Sequence, residues 1–188
     1  MTFSAYFPIG FDHIVSLAGF DHLLFIVVLC ARYRRQDWRR MLLLLTGFTV
    51  GHSLTLALTA LRVVVFPPQW VELLIPVTIL VTSLTNVAQP SPAGIGRAFL
   101  MASLFGLVHG CGFAGYFGMM LGDEQSVVLP LLAFNLGLEA GQIVTVSAFF
   151  LLIWCLEKIR RVPQRDLNFF VSGAGAGLAI KLILEQCL

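Results

Sequence analysis

The chain has 188 residues, of which 58% are hydrophobic and only 12% are charged, and its formal net charge is +2. Soluble globular domains carry about 25% charged residues, so this composition excludes an ordinary soluble domain and favours an integral membrane protein. The small net charge gives no reason to expect a nucleic-acid partner.

Apolar stretches long enough to cross a bilayer occur six times along the chain. A spanning helix needs roughly 18 or more consecutive apolar residues. The connections between the stretches are short, so we expect an all-α, polytopic membrane helix bundle in which residues 1–188 form one transmembrane domain in contact with the lipid bilayer. In chain order, the predicted spans are about 12–31, 41–62, 70–89, 98–120, 127–156 and 167–187.

Basic residues are distributed unevenly over the predicted loops. Because short cytoplasmic loops are enriched in Lys and Arg, the side that holds most of them is predicted to be cytoplasmic. Both termini are then expected on the non-cytoplasmic side of the cell's inner (plasma) membrane. The predicted cytoplasmic side carries ten of the twelve basic residues: Arg32, Arg34, Arg35, Arg39, Arg40, Arg97, Lys158, Arg160, Arg161 and Arg165.

The first predicted span contains the triplet Phe-Asp-His twice, at residues 11–13 and 20–22. In one continuous helix, nine residues at about 100° each put His13 and His22 on opposite faces. His13 is expected near the wet outer end, as a packing residue. Asp21 and His22 lie roughly 14 Å deeper, where an ionisable side chain is costly and marks a functional site.

Three later spans carry polar residues at a similar depth. His52 lies in the second span and His109 in the fourth. In the fifth span, Asn135, Glu139 and Gln142 are spaced i, i+4 and i+7, which is one face of a helix. The charge-based topology places these residues, together with the deep acid and histidine of the first span, in one layer just outside the bilayer midplane.

Imidazole nitrogens combined with carboxylates suit a divalent ion such as nickel, zinc, cobalt or copper(II). The amides of Asn135 and Gln142 are expected to orient the ligands. A structural polar cluster or a proton relay would also explain ionisable groups at this depth. The predicted metal ligands are Asp21, His22, His52, His109 and Glu139.

One face of the third span is polar along much of its length. Ile79, Ser83 and Asn86 each fall within about 40° of Glu72 around the helix. A polar stripe of this length resembles the wall of a permeation path. We expect Glu72 to attract cations at the outer mouth, and Ser83 and Asn86 to line the path.

Five strings in the chain together form a recognisable pattern. They are GFDHLLF (19–25), FTVGHSLTLAL (48–58), VELLI (71–75), FGLVHGCGFA (105–114) and FNLGLEAGQ (134–142). These strings resemble the HupE/UreJ family of membrane proteins, which accompany hydrogenase and urease systems and are regarded as nickel permeases. The resemblance implies uptake of Ni²⁺ and a membrane or metallocentre-assembly protein partner. Seven residues separate His13 from Asp21, where the better-known branch has five, so the chain looks like a divergent second branch.

Three functions are compatible with these observations. The first is a divalent metal-ion permease of the nickel type, with the metal as substrate. The second is an intramembrane zinc-dependent hydrolase that acts on a lipid or a membrane peptide, with Asp21, Glu139 and Ser53 as candidate catalytic residues. The third is a structural or assembly subunit whose polar layer binds a partner. The polar stripe and the family resemblance favour the permease.

Overall fold

The computed structural model describes residues 3–89, 94–122 and 126–187, and within these ranges the regular structure is helical, with no strand. Two one-turn 3₁₀ helices, Leu17–Gly19 and Arg35–Asp37, join longer helices. The structure therefore confirms the predicted all-α class. The α-helices are α1 (Phe3–Val15), α2 (Phe20–Cys30), α3 (Trp38–Ala60), α4 (Pro68–Ala88), α5 (Ile95–Leu121), α6 (Val128–Ile159) and α7 (Gln164–Cys187).

Helices α3 to α7 are each long and apolar enough to cross a membrane. Helices α1 and α2 together meet the same test if the bent pair counts as one span, which gives five or up to six spanning helices. The bounds of α3 to α7 agree closely with the second to sixth predicted spans. The chain is thus a polytopic membrane helix bundle.

The first span differs from the prediction of one continuous helix over 12–31. Helix α1 begins at Phe3 and ends at Val15, and α2 is turned from it by 65°. The segment between them contains Ser16 and Gly19, which are poorer helix formers than the apolar residues around them. A Cβ at Gly19 would collide with the carbonyl oxygen of His13, so the bend requires a residue without a side chain.

Two helix pairs, α1 with α6 and α3 with α5, pack closely and in parallel. Each crossing has a glycine on both helices, Gly10 and Gly137 in the first pair and Gly51 and Gly106 in the second. A Cβ at any of these four positions would collide with a carbonyl oxygen of the facing helix. The backbones therefore lie in direct contact, as small residues allow between membrane helices.

The third pair, α4 with α7, is antiparallel. Ser83 lies beside Gly175, and Asn86, about one turn later, contacts Ser172. These directions are what six spans of alternating direction require. The first span is then parallel to the fifth, the second is parallel to the fourth, and the third is antiparallel to the sixth.

Candidate metal centre

The bend between α1 and α2 places His13 beside His22, with their ring centroids 4.3 Å apart. The expectation that these two histidines lie on opposite faces was wrong, because it assumed one unbroken helix. Sequence reasoning therefore missed His13 as a site residue. The Ser-Leu-Ala-Gly segment between the two Phe-Asp-His triplets was the available signal for a break.

Helices α3 and α5 add the remaining two of the four histidines in the chain. The ring of His52 lies 5.6 Å from that of His13 and 5.8 Å from that of His22, and the rings of His22 and His109 are 4.8 Å apart. His52 and His109 are fully buried and His22 is 3% exposed. We call these four side chains, with Asp21, the histidine cluster.

Within the histidine cluster, two sets of potential ligand atoms lie close enough to share an ion. One set comes from His13, His22 and His52, and the other comes from Asp21, His22 and His109. In each set the ligand atoms lie within 4.8 Å of one another, and His22 belongs to both. Nitrogen with one carboxylate is a donor combination that suits nickel, cobalt, zinc or copper(II).

Asp21 fixes the ring of His22. Its Oδ1 lies 2.9 Å from the ring Nδ1 and also accepts the backbone N–H of His22 at 2.9 Å. An ionised carboxylate only accepts hydrogen bonds, so Nδ1 carries the proton and Nε2 keeps a lone pair. That Nε2 is buried and has no hydrogen-bond partner in the described part of the chain.

Thr78 of α4 fixes the ring and the tautomer of His109, as Asp21 does for His22. Sequence reasoning missed this residue. The Thr78 hydroxyl donates to the carbonyl of Ile75 at 2.7 Å and lies 2.9 Å from His109 Nε2. Because its one proton is already used, the hydroxyl accepts from Nε2–H, and the lone pair of His109 is then on Nδ1. His109 Nδ1 is buried without a partner among the described residues.

Three further ring nitrogens of the histidine cluster are also unpaired. Both nitrogens of His52 and Nε2 of His13 are buried and have no hydrogen-bond partner within residues 3–89, 94–122 and 126–187. A buried polar atom left unpaired costs about 1–3 kcal/mol, so such atoms require an explanation. Nitrogen lone pairs on four neighbouring buried histidines are explained by a cation.

Aromatic side chains surround the histidine cluster. The ring of Phe113 lies 4.2 Å from that of His13, Phe25 lies 4.9 Å from His109, and Phe48 lies 5.2 Å from His109. Phe25 and Phe48 exclude water on the sides away from the cleft described next, whereas Phe113 lines the cleft itself. Low local polarity strengthens the attraction between a cation and its ligands.

A cleft of about 610 Å³ opens from the histidine cluster to the surface. His13 and His22 line its inner part, and the carboxylates of Asp12, Asp21 and Glu72 line it too. Acidic groups in a concave surface raise the local concentration of cations. Glu72 is exposed and lies in this cleft, which is compatible with its expected place at a mouth.

Glu139 is the predicted ligand that neither set contains. It is half-buried on α6, two residues from both Gly137 and Gly141, which contact α1. At about 100° per residue, Glu139 therefore points away from α1 and from His13. Equal depth in the membrane does not ensure that side chains on different helices meet.

The two expected orienting amides lie on the same helix. Gln142 is fully buried, and its Oε1 accepts from the hydroxyl of Thr49 at 3.2 Å, while its Nε2 has no partner among the described residues. Asn135 is half-buried, and its Oδ1 is likewise unpaired there.

Ser53 of α3 is the candidate nucleophile of the hydrolase alternative. Its hydroxyl donates to the carbonyl of Thr49 at 2.5 Å, so the hydroxyl proton is held by its own helix rather than by a histidine base.

The inner half of the polar stripe on α4 packs against other helices, and Asn86 also lines a cavity of about 220 Å³. Ser83 is fully buried against α7. Asn86 donates to the carbonyl of Val28 at 2.7 Å and to the hydroxyl of Ser172 at 3.3 Å. Asn168 donates to the Asn86 carbonyl at 2.8 Å and accepts from Ser172 at 3.1 Å. We call Asn86, Asn168 and Ser172 the asparagine cluster.

Comparison with known proteins gives one match. A family model described as HupE / UreJ protein matches residues 1–185, essentially the whole chain. No curated protein and no solved structure matches it. The family suggests a transporter-like accessory protein that handles nickel or cobalt, and the His/Asp groups described above could bind such a metal. The chain belongs to the HupE/UreJ family of membrane proteins.

Proposed function

We propose that the protein is a divalent metal-ion permease of the inner (plasma) membrane that carries Ni²⁺, or an ion of similar coordination, through the histidine cluster. One observation carries the proposal: the four histidines of the chain meet inside an apolar bundle with unpaired ring nitrogens. Family membership supports the same conclusion.

The ligands are arranged before an ion arrives. Asp21 and Thr78 hold the rings of His22 and His109 in the tautomers that leave one nitrogen free. An ion that binds them need not first break a hydrogen bond at either nitrogen. Preorganised ligands reduce the ordering cost of binding.

The overlap of the two ligand sets supports transport rather than permanent retention. Because His22 belongs to both sets, an ion held with His13 and His52 can move to the position beside Asp21 and His109 without leaving His22. Conduction requires binding that is strong enough for entry and divided over several positions for release. Two overlapping positions meet that requirement.

The charge distribution supports inward movement. The acid-lined cleft lies at the end predicted to be non-cytoplasmic, and the basic loops are predicted to be cytoplasmic. A membrane potential that is negative inside contributes about 2.3 kcal/mol per elementary charge per 100 mV. A divalent cation would therefore be attracted at the mouth and driven toward the cytoplasm, where a metallocentre-assembly partner could receive it.

The test is ion uptake into sealed proteoliposomes that contain a metal-sensitive dye, with nickel, cobalt, zinc and copper offered separately. We expect saturable flux with nickel or cobalt preferred, and loss of flux in the double variant His52→Ala with His109→Ala. Cys111→Ala is the matched control, because Cys111 is two residues from His109 in α5 and its thiol bonds to the carbonyl of Leu107 in its own helix.

Three results would contradict the proposal in different ways. Equal flux in the wild type and the double variant would exclude the histidine cluster as the route. Tightly held metal without flux would support a resident catalytic zinc and a membrane hydrolase. Neither flux nor bound metal would leave an assembly subunit.

A further inference from the structure

A second large cleft lies at the basic end of the bundle, where α6 and α7 meet the connection between α2 and α3. Its volume is about 970 Å³. Four basic side chains and one carboxylate line it, namely Arg34, Arg35, Lys158, Arg161 and Glu157. The cleft therefore has a clear excess of positive charge in a concave surface.

The cations of this cleft are available to a ligand. Within the described residues, Arg34, Arg35 and Arg161 form no ion pair with a carboxylate. Lys158 lies over the ring of Trp154, with its Nζ 5.2 Å from the ring centroid. Gln164, at the start of α7, donates a hydrogen bond to the carbonyl of Tyr33 in the connection between α2 and α3, at 3.1 Å. This bond joins two walls of the cleft.

An apolar groove of about 490 Å³ continues from the cleft along α3 and α6. Cleft and groove share Arg35, Phe150 and Trp154. The groove extends along α6 from Trp154 to Val146, which is about 12 Å at 1.5 Å per residue. Tryptophan rings of this kind lie at the boundary between headgroups and acyl chains.

We propose that this cleft and groove bind one anionic phospholipid of the phosphatidylglycerol type. The phosphate lies among Arg34, Arg35 and Arg161, and one acyl chain lies in the groove beside Trp154. A free phosphate ion would use only the cleft, whereas a phospholipid uses both parts at once. Basic pockets between membrane helices on the cytoplasmic side suit such headgroups.

The general enrichment of Lys and Arg at this end does not by itself make a site. The distinguishing feature is that only some of the basic residues line the cleft. Arg160 and Arg165 lie at the same end, are exposed and are outside the lining. Replacing them removes the same charge from the same membrane surface, which makes them a matched control.

The experiment measures quenching of tryptophan fluorescence in nanodiscs of phosphatidylcholine that contain a minor fraction of brominated lipid. Trp70→Phe is used as the background, so that the fluorescence comes from Trp38 and Trp154, which line the groove. The full chain is compared with Arg34→Gln/Arg161→Gln and with Arg160→Gln/Arg165→Gln. Brominated phosphatidylglycerol and brominated phosphatidylcholine are the two probes.

We expect stronger quenching by brominated phosphatidylglycerol than by brominated phosphatidylcholine in the parent and in the control variant. Each cleft arginine contributes about fivefold in affinity, so the cleft variant should bind the anionic lipid about 25-fold more weakly. Equal losses in both double variants would overturn the proposal in favour of a diffuse basic surface. Equal quenching by the two probes would also overturn it.

A second variant tests the acyl chain separately. Ser147→Phe places a ring in the groove without changing a charge, and it should reduce quenching by brominated phosphatidylglycerol. If inorganic phosphate displaces the lipid completely and Ser147→Phe has no effect, the cleft is an anion site and not a lipid site. No readout involves a metal ion, so this proposal and the permease proposal can fail independently.

Discussion

The histidine cluster and the asparagine cluster are both buried among apolar helices, but they differ in how their polar atoms are paired. Asn86, Asn168 and Ser172 bond to one another and to the carbonyl of Val28. The histidine cluster leaves ring nitrogens on all four histidines unpaired in the described part of the chain. Paired polar groups hold helices together, whereas unpaired ones in a membrane interior indicate a ligand.

Mutations in the two clusters should therefore have different consequences. A residue of the asparagine cluster should affect stability and leave metal affinity unchanged. A residue of the histidine cluster should affect metal affinity much more than it affects the metal-free stability, because most of the ring nitrogens make no hydrogen bond between helices in the described part of the chain. The predictions below measure metal affinity, and three of them also measure or predict stability.

The largest expected effect is that of His22→Ala, because His22 belongs to both ligand sets. Loss of a shared ligand should weaken nickel binding by more than about 100-fold, which exceeds the range for loss of an orienting group. The measurement is calorimetric titration of nickel into the purified protein in detergent. Stability without metal is the control, and an unchanged affinity would exclude His22 as a ligand.

Asn86→Leu should lower the stability of the protein and leave its nickel affinity nearly unchanged, which is the opposite of the result expected for His22→Ala. The substitution removes two hydrogen bonds and leaves the Ser172 hydroxyl without a donor, so we expect the free energy of unfolding to fall by about 2–3 kcal/mol. Nickel affinity should stay within about twofold of the parent. The pathway role predicted from the sequence requires the reverse: lower flux with unchanged stability.

Asp21→Asn tests whether this side chain orients His22 or binds the ion itself. An amide keeps the size of the carboxylate but loses its charge and presents a competing donor, so the Nδ1–H of His22 is held less firmly. We expect nickel affinity to fall by about 30-fold, within the range for an orienting group. A loss far above 100-fold in the same titration would make Asp21 a direct ligand.

The long helices could be predicted from the sequence because span length and charge bias are local signals. The α3 to α7 bounds needed only apolar runs and the breaks between them. Four of the five proposed ligands, with Glu139 the exception, also lie in the two ligand sets, since depth and helical spacing constrain them strongly. These rules concern one helix at a time.

The remaining features depend on how helices meet. The 65° bend brings His13 into the histidine cluster, and a periodicity argument cannot detect it because the argument assumes a straight helix. Glu139 matches the cluster in depth but is excluded by the rotation of α6 that its glycine crossing with α1 imposes. Thr78 was missed because its role is to accept a hydrogen bond from another helix.

The smallest expected effect is that of Thr78→Val, which keeps the shape of the side chain and removes the acceptor for His109 Nε2–H. The ring of His109 can then rotate or change tautomer, so part of the population presents a protonated Nδ1 to the cluster. We expect about a tenfold loss of nickel affinity, with a modest loss of stability. Thr82→Val is the matched control on α4, because the Thr82 hydroxyl donates only to the Thr78 carbonyl of its own helix, at 2.8 Å. Equal affinities for the two variants would mean that His109 does not need Thr78 to fix its tautomer, and that only Asp21 and His22 form a preorganised part of the histidine cluster.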